Sequence, residues 1–429
     1  MKRNFRKWLR FSSLGIIATL STSVFASGYK LEFQSVSVLA DAGDAAVVED
    51  AGTNWYNSAG LVYLPQQLVG SAIDVYQHVT FRGTSIAPSA FGSSFIGTGK
   101  ATSHPNSILP AFHYALPLSD RFAFGLSALP AWGLKENYGV NSILRYDLIR
   151  IYTKTMDIAP SLAMKINEHW SVGAGPDFNY FALQSNNNSR TQIATPSDSM
   201  SRVSADNWGY GAHAGILYRY SDTTRIGLNY RTRIVMDLKG YSSFTWYNNP
   251  FLETNQFRFR IPLPPTTSFS VYHDMTPTWA MMGTIAFDQW SVVKQYVAQN
   301  YLSPNLLDRT KFSLIPVVLQ QNMHNTLDFS IGTHYRINEQ LMLRGSIKYE
   351  PTPTNDQFRD VNFPDGQKLG LNVGAHYQMT KKLGLDFIYA HVFTRKVPYN
   401  ITLPVTFVRV NGTTGTSIDL AGAQLVYDI

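Results

Sequence analysis

From Gln66 to the C-terminus the chain alternates apolar and polar residues with a period of two. That period marks strands in a sheet with two unlike faces. Between Asn207 and Tyr220, one face carries Trp208, Tyr210, Ala212, Ala214, Ile216, Tyr218 and Tyr220. The other carries Asn207, Gly209, Gly211, His213, Gly215 and Arg219, with Leu217 as the exception. Leu369 to Met379 repeats the pattern, and so does Leu327 to Ile337, where Phe329, Ile331 and Tyr335 oppose Asp328, Ser330, His334 and Arg336.

Fourteen segments carry strand character, near 66–78, 107–117, 121–132, 149–165, 169–184, 205–220, 224–238, 266–273, 278–290, 323–337, 340–351, 366–379, 382–394 and 416–429. Links after the even-numbered segments are short: LSD, NEH, SDT, DMTP, a turn at Asn338–Glu339, and TKK. Links after the odd-numbered ones are long, such as 185–204, 239–265, 291–322 and 395–415. An even strand count, turns on one side and loops on the other describe a membrane barrel, whose strands need about ten residues to span. In a soluble sandwich the apolar faces would meet a second sheet; here they meet lipid, and closure removes unpaired edges. The expected fold is an all-β membrane protein, a 14-stranded antiparallel transmembrane β-barrel plugged by a small N-terminal helical hatch.

The plug is the stretch before the first strand. Residues 43–64, GDAAVVEDAGTNWYNSAGLVYL, read as neither strand nor long helix. Ahead of them lies an export signal: a basic start, the apolar run FSSLGIIATLSTSVF, and small residues ending at Ala26. The run is shorter and more hydroxylated than the ~20 apolar residues of a spanning helix. The expected division is a signal peptide at 1–26, a hatch at 27–64 and a barrel at 65–429. Cleavage also changes the charge picture. The formal charge of +7 includes Lys2, Arg3, Arg6, Lys7 and Arg10, whose removal takes Lys+Arg from 36 to 31 against 29 acids. The basic pI therefore reports the leader and not a nucleic-acid partner. With no Cys, disulfides play no part.

Candidate chemistry is sparse. Ten His are scattered, without HExxH or a His/carboxylate cluster in sequence, so no metal, cofactor or catalytic residue is expected. His113 with neighbouring Ser could serve a barrel lipase, but no G-x-S-x-G elbow is present, and the chain reads as a non-enzyme. Cations on lumen faces say more. If Ile226, Leu228, Tyr230, Thr232 and Ile234 face lipid, Arg225, Asn229, Arg231 and Arg233 face inward. By the same parity Arg344, Lys348 and Glu350 face inward. Arg231, Arg233, Arg344 and Lys348 could hold a carboxylate head group, or pair with lumen acids such as Asp328, Glu350 and Asp386.

The sequence resembles the long-chain fatty acid transporter (FadL) family of bacterial outer-membrane proteins. The likeness begins with SGYKLEFQSVSVLADAGDAAVVEDAGTNWYNSAGL, similar to that family's hatch, where Asn57-Ser58-Ala59 stands for Asn-Pro-Ala. It continues through ILPAFHYALPLSDRFAFGLSALPAWGL, through DNWGYGAHAGILYRYSDTTRIGLNYRTRIVMDLKG, and through the segment from Tyr349 to Phe393 with Thr352-Pro353 and Pro364-Asp365. The closing Gly422, Leu425, Tyr427 and Ile429 resemble the signal read by the outer-membrane assembly machinery, with Ile for the usual Phe.

The resemblance implies a monomeric barrel in the outer membrane, among lipid and lipopolysaccharide. Its hatch would include Asp44, Asp50, Asn57, Ser58 and Ala59. It implies passive uptake of hydrophobic small molecules, long-chain fatty acids first, with a lateral exit at a kink in the third strand. The kink would fall at Leu129, Pro130, Ala131, Trp132 and Gly133; Pro130 has no ladder donor and Gly133 no side chain to pack. The family's fifth strand offers a basic residue, whereas this chain has Tyr180-Phe181-Ala182-Leu183. That departure favours a neutral or aromatic hydrocarbon as the alternative substrate. A general porin or surface-interaction barrel is the remaining reading.

Overall fold

The computed structural model describes residues 28–43, 45–88, 94–189, 199–245, 252–304, 312–359, 362, 364–404 and 406–429. The expected signal peptide at 1–26 and the hatch residue Asp44 lie outside these. Twenty-one ladder segments form one sheet, and they join end to end into fourteen strands. These are β1 (Gln67–Ala87), β2 (Phe95–Ser103 and Asn106–Pro117), β3 (Phe122–Leu129 and Lys135–Asn137), β4 (Arg150–Lys165) and β5 (Trp170–Ser189). Next come β6 (Ser199–Arg219), β7 (Thr224–Arg231 and Ile234–Thr245), β8 (Leu252–Leu263 and Thr266–Thr276) and β9 (Trp279–Asp288 and Gln295–Pro304). The set closes with β10 (Phe312–Gln320 and Thr326–Arg336), β11 (Leu341–Glu350), β12 (Lys368–Gln378), β13 (Leu383–Thr394 and Val397–Thr402) and β14 (Arg409–Asp428). β14 returns to β1 in register from Gln67↔Asp428 to Ile86↔Arg409, so the sheet has no free edge.

The alternation maps onto the wall as expected. Leu369, Leu371, Val373, Tyr377 and Met379 are exposed, as are Phe329, Ile331 and Tyr335. Leu217, out of phase in the sequence, is fully buried with Ala46, Val47 and Ala59 of the hatch. It breaks the polar face because the plug covers it there. Two expectations change. The stretches 239–265, 291–322 and 395–415 are not simply loops, since much of each continues as paired strand beyond the membrane. In β7, Thr232 and Arg233 interrupt the ladder and reverse the parity: odd residues such as Asn229 are buried before the break, even ones such as Ile234 and Met236 after it. Arg233 is therefore exposed and Ile234 buried, opposite to the expectation from unbroken alternation.

Inside the barrel, residues 28–64 form two short helices, α1 (Val36–Ala40) and α2 (Thr53–Tyr56), and a 3₁₀ turn (Ser58–Tyr63). None has the length to be stable alone; the wall supplies what they lack. The Asn54 amide donates to Ser127 Oγ (2.8 Å) and to the Ala159 carbonyl (3.0 Å). Asn57 caps the 3₁₀ turn by accepting from the Ala59 N–H at 3.2 Å, and donates to the Ile216 carbonyl at 3.0 Å. Ser171 donates to the Ala59 carbonyl (2.8 Å) and Ser330 to that of Ala42 (2.7 Å). Two wall glycines permit this approach. A Cβ at Gly215 would lie 2.1 Å from Asn57 Oδ1, and one at Gly173 would lie 2.5 Å from the Ser58 carbonyl carbon.

Gly215→Val is expected to dislodge the hatch while the barrel still closes. The check is planar-bilayer conductance, which should rise above wild type while the purified protein keeps its heat-modifiable mobility on gels. Unchanged conductance would mean that the Asn57 turn is not what seals the lumen.

Candidate functional site

Two cavities lie behind the third strand, one with charged groups in its lining and one without such groups among the described residues. One is apolar, with a volume of about 190 Å³. Phe181 and Leu183 of β5, Phe257, Phe259 and Ile261 of β8, Tyr296, Ala298 and Tyr301 of β9 and Tyr29 line it, among others, and among the described residues none in its lining is charged. The other, about 120 Å³, is mixed: Lys30, Glu32, Asp177, Arg231, Asp328 and Lys348 border it together with apolar groups such as Leu31, Trp55, Trp132 and Ile234. Tyr29 stands at the divide. Its ring lies 5.0 Å from Trp290, edge-on, and 5.8 Å from Trp132, and its hydroxyl donates to the Pro262 carbonyl at 2.6 Å.

The wall is broken beside this divide. The ladder between β2 and β3 runs only from Pro117↔Ala123 to Phe112↔Ala128. Beyond it β3 leaves the sheet at Pro130 and resumes at Lys135, where it pairs with β4 again. The freed backbone is taken up by the N-terminal segment: Leu31 N–H donates to the Ala131 carbonyl (2.9 Å) and Gly133 N–H to that of Tyr29 (2.8 Å). Leu129, Ala131 and Trp132 are buried around this contact. The expected kink residues thus form a gap in the ladder, closed by the chain's own N-terminal stretch.

The four candidate head-group cations are dispersed. Arg231 donates to Asp177 Oδ1 and to the Trp55 carbonyl, both at 2.7 Å, with its guanidinium 3.4 Å over the Trp55 ring. Arg344 is buried among Glu49, Asp386 (3.3 Å) and Asp41 (3.8 Å). Lys348 contacts Glu32 and lies 2.9 Å from Glu350. Arg233 sits exposed at the break in β7. Arg231 and Lys348 border the mixed cavity, and none of the four borders the apolar one. Lys30 joins them, 2.9 Å from Asp288. Burial opposes its charge, but Asp288 and Asp328 outweigh burial and raise its pKa.

Other chemistry is accounted for by the plug. Two groups could approach a metal's donor spacing, Asp41 with Glu49 and His334, and Glu32 with Asp328 and Glu350. Each already faces a protein cation, Arg344 in the first and Lys348 in the second. His213 joins Asp177 (2.7 Å) and Ser161 (2.8 Å) in the order of a hydrolytic relay. Ser161 is buried and is not in the lining of either cavity, and Asp177 is bound by Arg231. His113 pairs with Ser127 (2.9 Å) and the hatch carbonyl of Gln34 (2.9 Å), another wall-to-plug tie.

Sequence reasoning missed Tyr29, Phe257, Phe259 and Tyr296, because their segments read as loop or plug. The alternation of Phe257, Phe259 and Ile261 with Arg258 and Arg260 was the available signal. Phe181 and Leu183 occupy the stretch where the resemblance led to the expectation of a cation, and they line the apolar wall.

A closed fourteen-stranded barrel with a polar-anchored plug and an apolar lumen cavity defines an outer-membrane transport protein. The chain belongs to the outer membrane protein transport protein (OMPP1/FadL/TodX) family, whose model matches residues 17–428. The long-chain fatty acid transport protein of Salmonella typhi is 25% identical over 424 residues, covering 90% of this chain and 91% of its own length. Among solved structures, a Pseudomonas aeruginosa FadL homologue superposes with a TM-score of 0.80 at 18% identity, covering 94% of this chain and 100% of its own. The Pseudomonas putida toluene transporter TodX gives 0.70 at 15%, covering 91% and 97%. The likeness to both structures is one of fold.

Asp50 adds a pH dependence to the plug. Its carboxylate accepts from Ser37 Oγ (2.5 Å), the Gly52 N–H (2.7 Å) and the Gln424 amide of β14 (2.8 Å). Burial, and then the charge of Asp386, push its pKa up from 3.8 to about 6. The docked plug then binds this proton more tightly than an undocked one. Docking is strongest below about pH 4, weakens as pH rises through about 6, and levels off above, by on the order of 3 kcal/mol. Protease accessibility of the hatch should rise between pH 4 and 6.5, and Asp50→Asn should flatten that slope; a slope that persists in the variant refutes the assignment.

Proposed function

We propose that the chain is a passive channel for neutral hydrophobic compounds, aromatic ones foremost. The solute rests in the apolar cavity and leaves sideways into the membrane at the β3 break. The observation that carries this reading is the cavity lining, largely aromatic and aliphatic with no charged residue among those described, beside a ladder gap closed by Tyr29 and Leu31. Burying an apolar solute against such walls is favourable by roughly 25 cal/mol per Å². A lateral exit lets it reach lipid without returning to water. Among the described residues a carboxylate has no cation in that cavity, and Arg231, Arg344 and Lys348 would each have to give up an acid already bound.

A second reading, long-chain fatty acid uptake, is favoured by the adjoining mixed cavity. There Lys30, Arg231 and Lys348 could meet a head group while the tail crosses the divide at Tyr29. The similarity to the Salmonella typhi fatty acid transport protein supports it too.

Uptake of labelled toluene and labelled oleate in a host lacking its own transporter separates the two. Neutral preference predicts rescue with toluene and little with oleate. Ala298→Trp, which fills the cavity, should cut toluene uptake by about tenfold or more, equivalent to ~1.4 kcal/mol. Rescue by oleate that collapses in Arg231→Gln would establish the second reading. Rescue by neither, with large steady ion conductance, would overturn both in favour of an open porin.

A further inference from the structure

A cluster of unpaired cations lies on the outside of the barrel, away from the lumen and independent of which solute crosses it. On β1 the even-numbered residues face outward, with Tyr76 exposed beside buried Val75 and Gln77. Continuing upward on that face come His78, Thr80 and Arg82. Arg82 is in cross-strand register with Lys100 of β2 on one side and Thr413 of β14 on the other. Lys396, in the interruption of β13, lies across the outer face of β14, where a Cβ on Gly415 would meet its side chain at 3.0 Å. Together these side chains border an open groove of about 440 Å³ floored by Thr and Ser hydroxyls.

None of Arg82, Lys100 and Lys396 has an acidic partner among the described residues. The nearest acid on this face, Asp419, lies lower and is taken by His391 (2.8 Å) and Tyr389 (2.7 Å). Beneath the groove Phe393, Tyr76 and Ile108 are exposed, with Asp74 and the half-exposed Asp419 among them. At about 3.4 Å per residue on a strand tilted by ~40°, Arg82 stands roughly 35 Å above Leu68, about 10 Å beyond a ~25 Å apolar band. It is on the side of the long connections, which face outward from the cell in such barrels. The cations therefore sit at head-group height in the outer leaflet. At ~4.8 Å per strand, Lys100 on β2 and the Lys396 side chain over β14 are roughly 10 Å apart, with Arg82 on β1 between.

We propose that this groove binds the phosphorylated glycolipid of the outer leaflet. Arg82 and Lys100 would take one phosphate through charge-assisted hydrogen bonds and Lys396 the other. The hydroxyls meet the sugar, and the acyl chains lie on Phe393, Tyr76 and Ile108. A headgroup with two phosphates on a disaccharide matches the spread of the cations; a single-phosphate phospholipid meets only part of it.

The test measures binding of the purified full-length barrel in detergent to bisphosphoryl lipid A, monophosphoryl lipid A and phosphatidylglycerol. The expected order of affinity is bisphosphoryl, then monophosphoryl, then phosphatidylglycerol. The triple variant Arg82→Gln/Lys100→Gln/Lys396→Gln should lose about tenfold or more for bisphosphoryl lipid A, while its heat-modifiable mobility is unchanged. If the triple variant does not fold, the single variants Lys100→Gln and Lys396→Gln each carry the test, with a several-fold loss expected. Equal affinity for phosphatidylglycerol, or undiminished lipid A binding by the folded variants, overturns the proposal.

Discussion

The structure depends on one exchange: an irregular plug can exist inside the barrel only because the wall satisfies its backbone. Helices of four and five residues leave most of their terminal groups unpaired, and a lumen at membrane depth offers no bulk water to repair that. Here Ser171, Ser330 and Gln424 of the wall meet the plug backbone at the Ala59 carbonyl, the Ala42 carbonyl and the Val36 N–H, and Asn54 and Asn57 of the plug donate in turn to the wall. Arg344 adds an ionic tie, a buried guanidinium shared between Asp41 and Glu49 of the plug and Asp386 of β13. Removing one member of such a group leaves charge uncompensated, typically at several kcal/mol. Arg231, Arg344 and Lys348 are thus each paired with an acid, and the apolar cavity lies away from them.

That pocket arises from breaks in the ladder. β3, β7, β8, β9 and β10 are each interrupted once, at 130–134, 232–233, 264–265, 289–294 and 321–325. A continuous strand with alternating faces offers every second side chain to the lumen. An interruption resets that phase, so Ile234 and Met236 turn inward above the break while Asn229 and Arg231 serve the polar level below it. The lumen is layered as a result, polar around the plug and apolar above. The Tyr29–Trp132–Trp290 cluster is the floor between the layers.

How much of this was legible follows from the same physics. Strand number, the lipid-facing residues and the existence of a plug were visible because alternation is imposed by lipid on one side and a polar lumen on the other. Leu217 was visible as an anomaly, and the plug explains it. Arg233 was misread because parity assumes an unbroken ladder, and a two-residue interruption leaves no mark in composition. The pairing of Arg231, Arg344 and Lys348 with acids was open from sequence, since partners 54 residues apart in one case and 295 in another are joined only by the fold. The apolar cavity was missed because strands that run past the membrane were taken for loops.

The closure of the β3 gap has an energetic consequence. Two backbone hydrogen bonds, from Leu31 and to Tyr29, replace the β2 neighbour that Ala131 and Gly133 lack. At a net ~0.5–1.5 kcal/mol each, they are weak enough to exchange thermally. A full ladder with β2 would seal the wall permanently, whereas no partner at all would leave buried amides unsatisfied at greater cost. The N-terminal stretch is the intermediate solution: it satisfies the gap at rest and can yield. Tyr29 belongs to both the closure and the cavity lining, so a solute pressing on that ring acts directly on the residue whose carbonyl holds Gly133. In the proposed channel, occupancy of the cavity and opening of the wall would be coupled through one side chain and its own backbone, without a signal carried across the barrel.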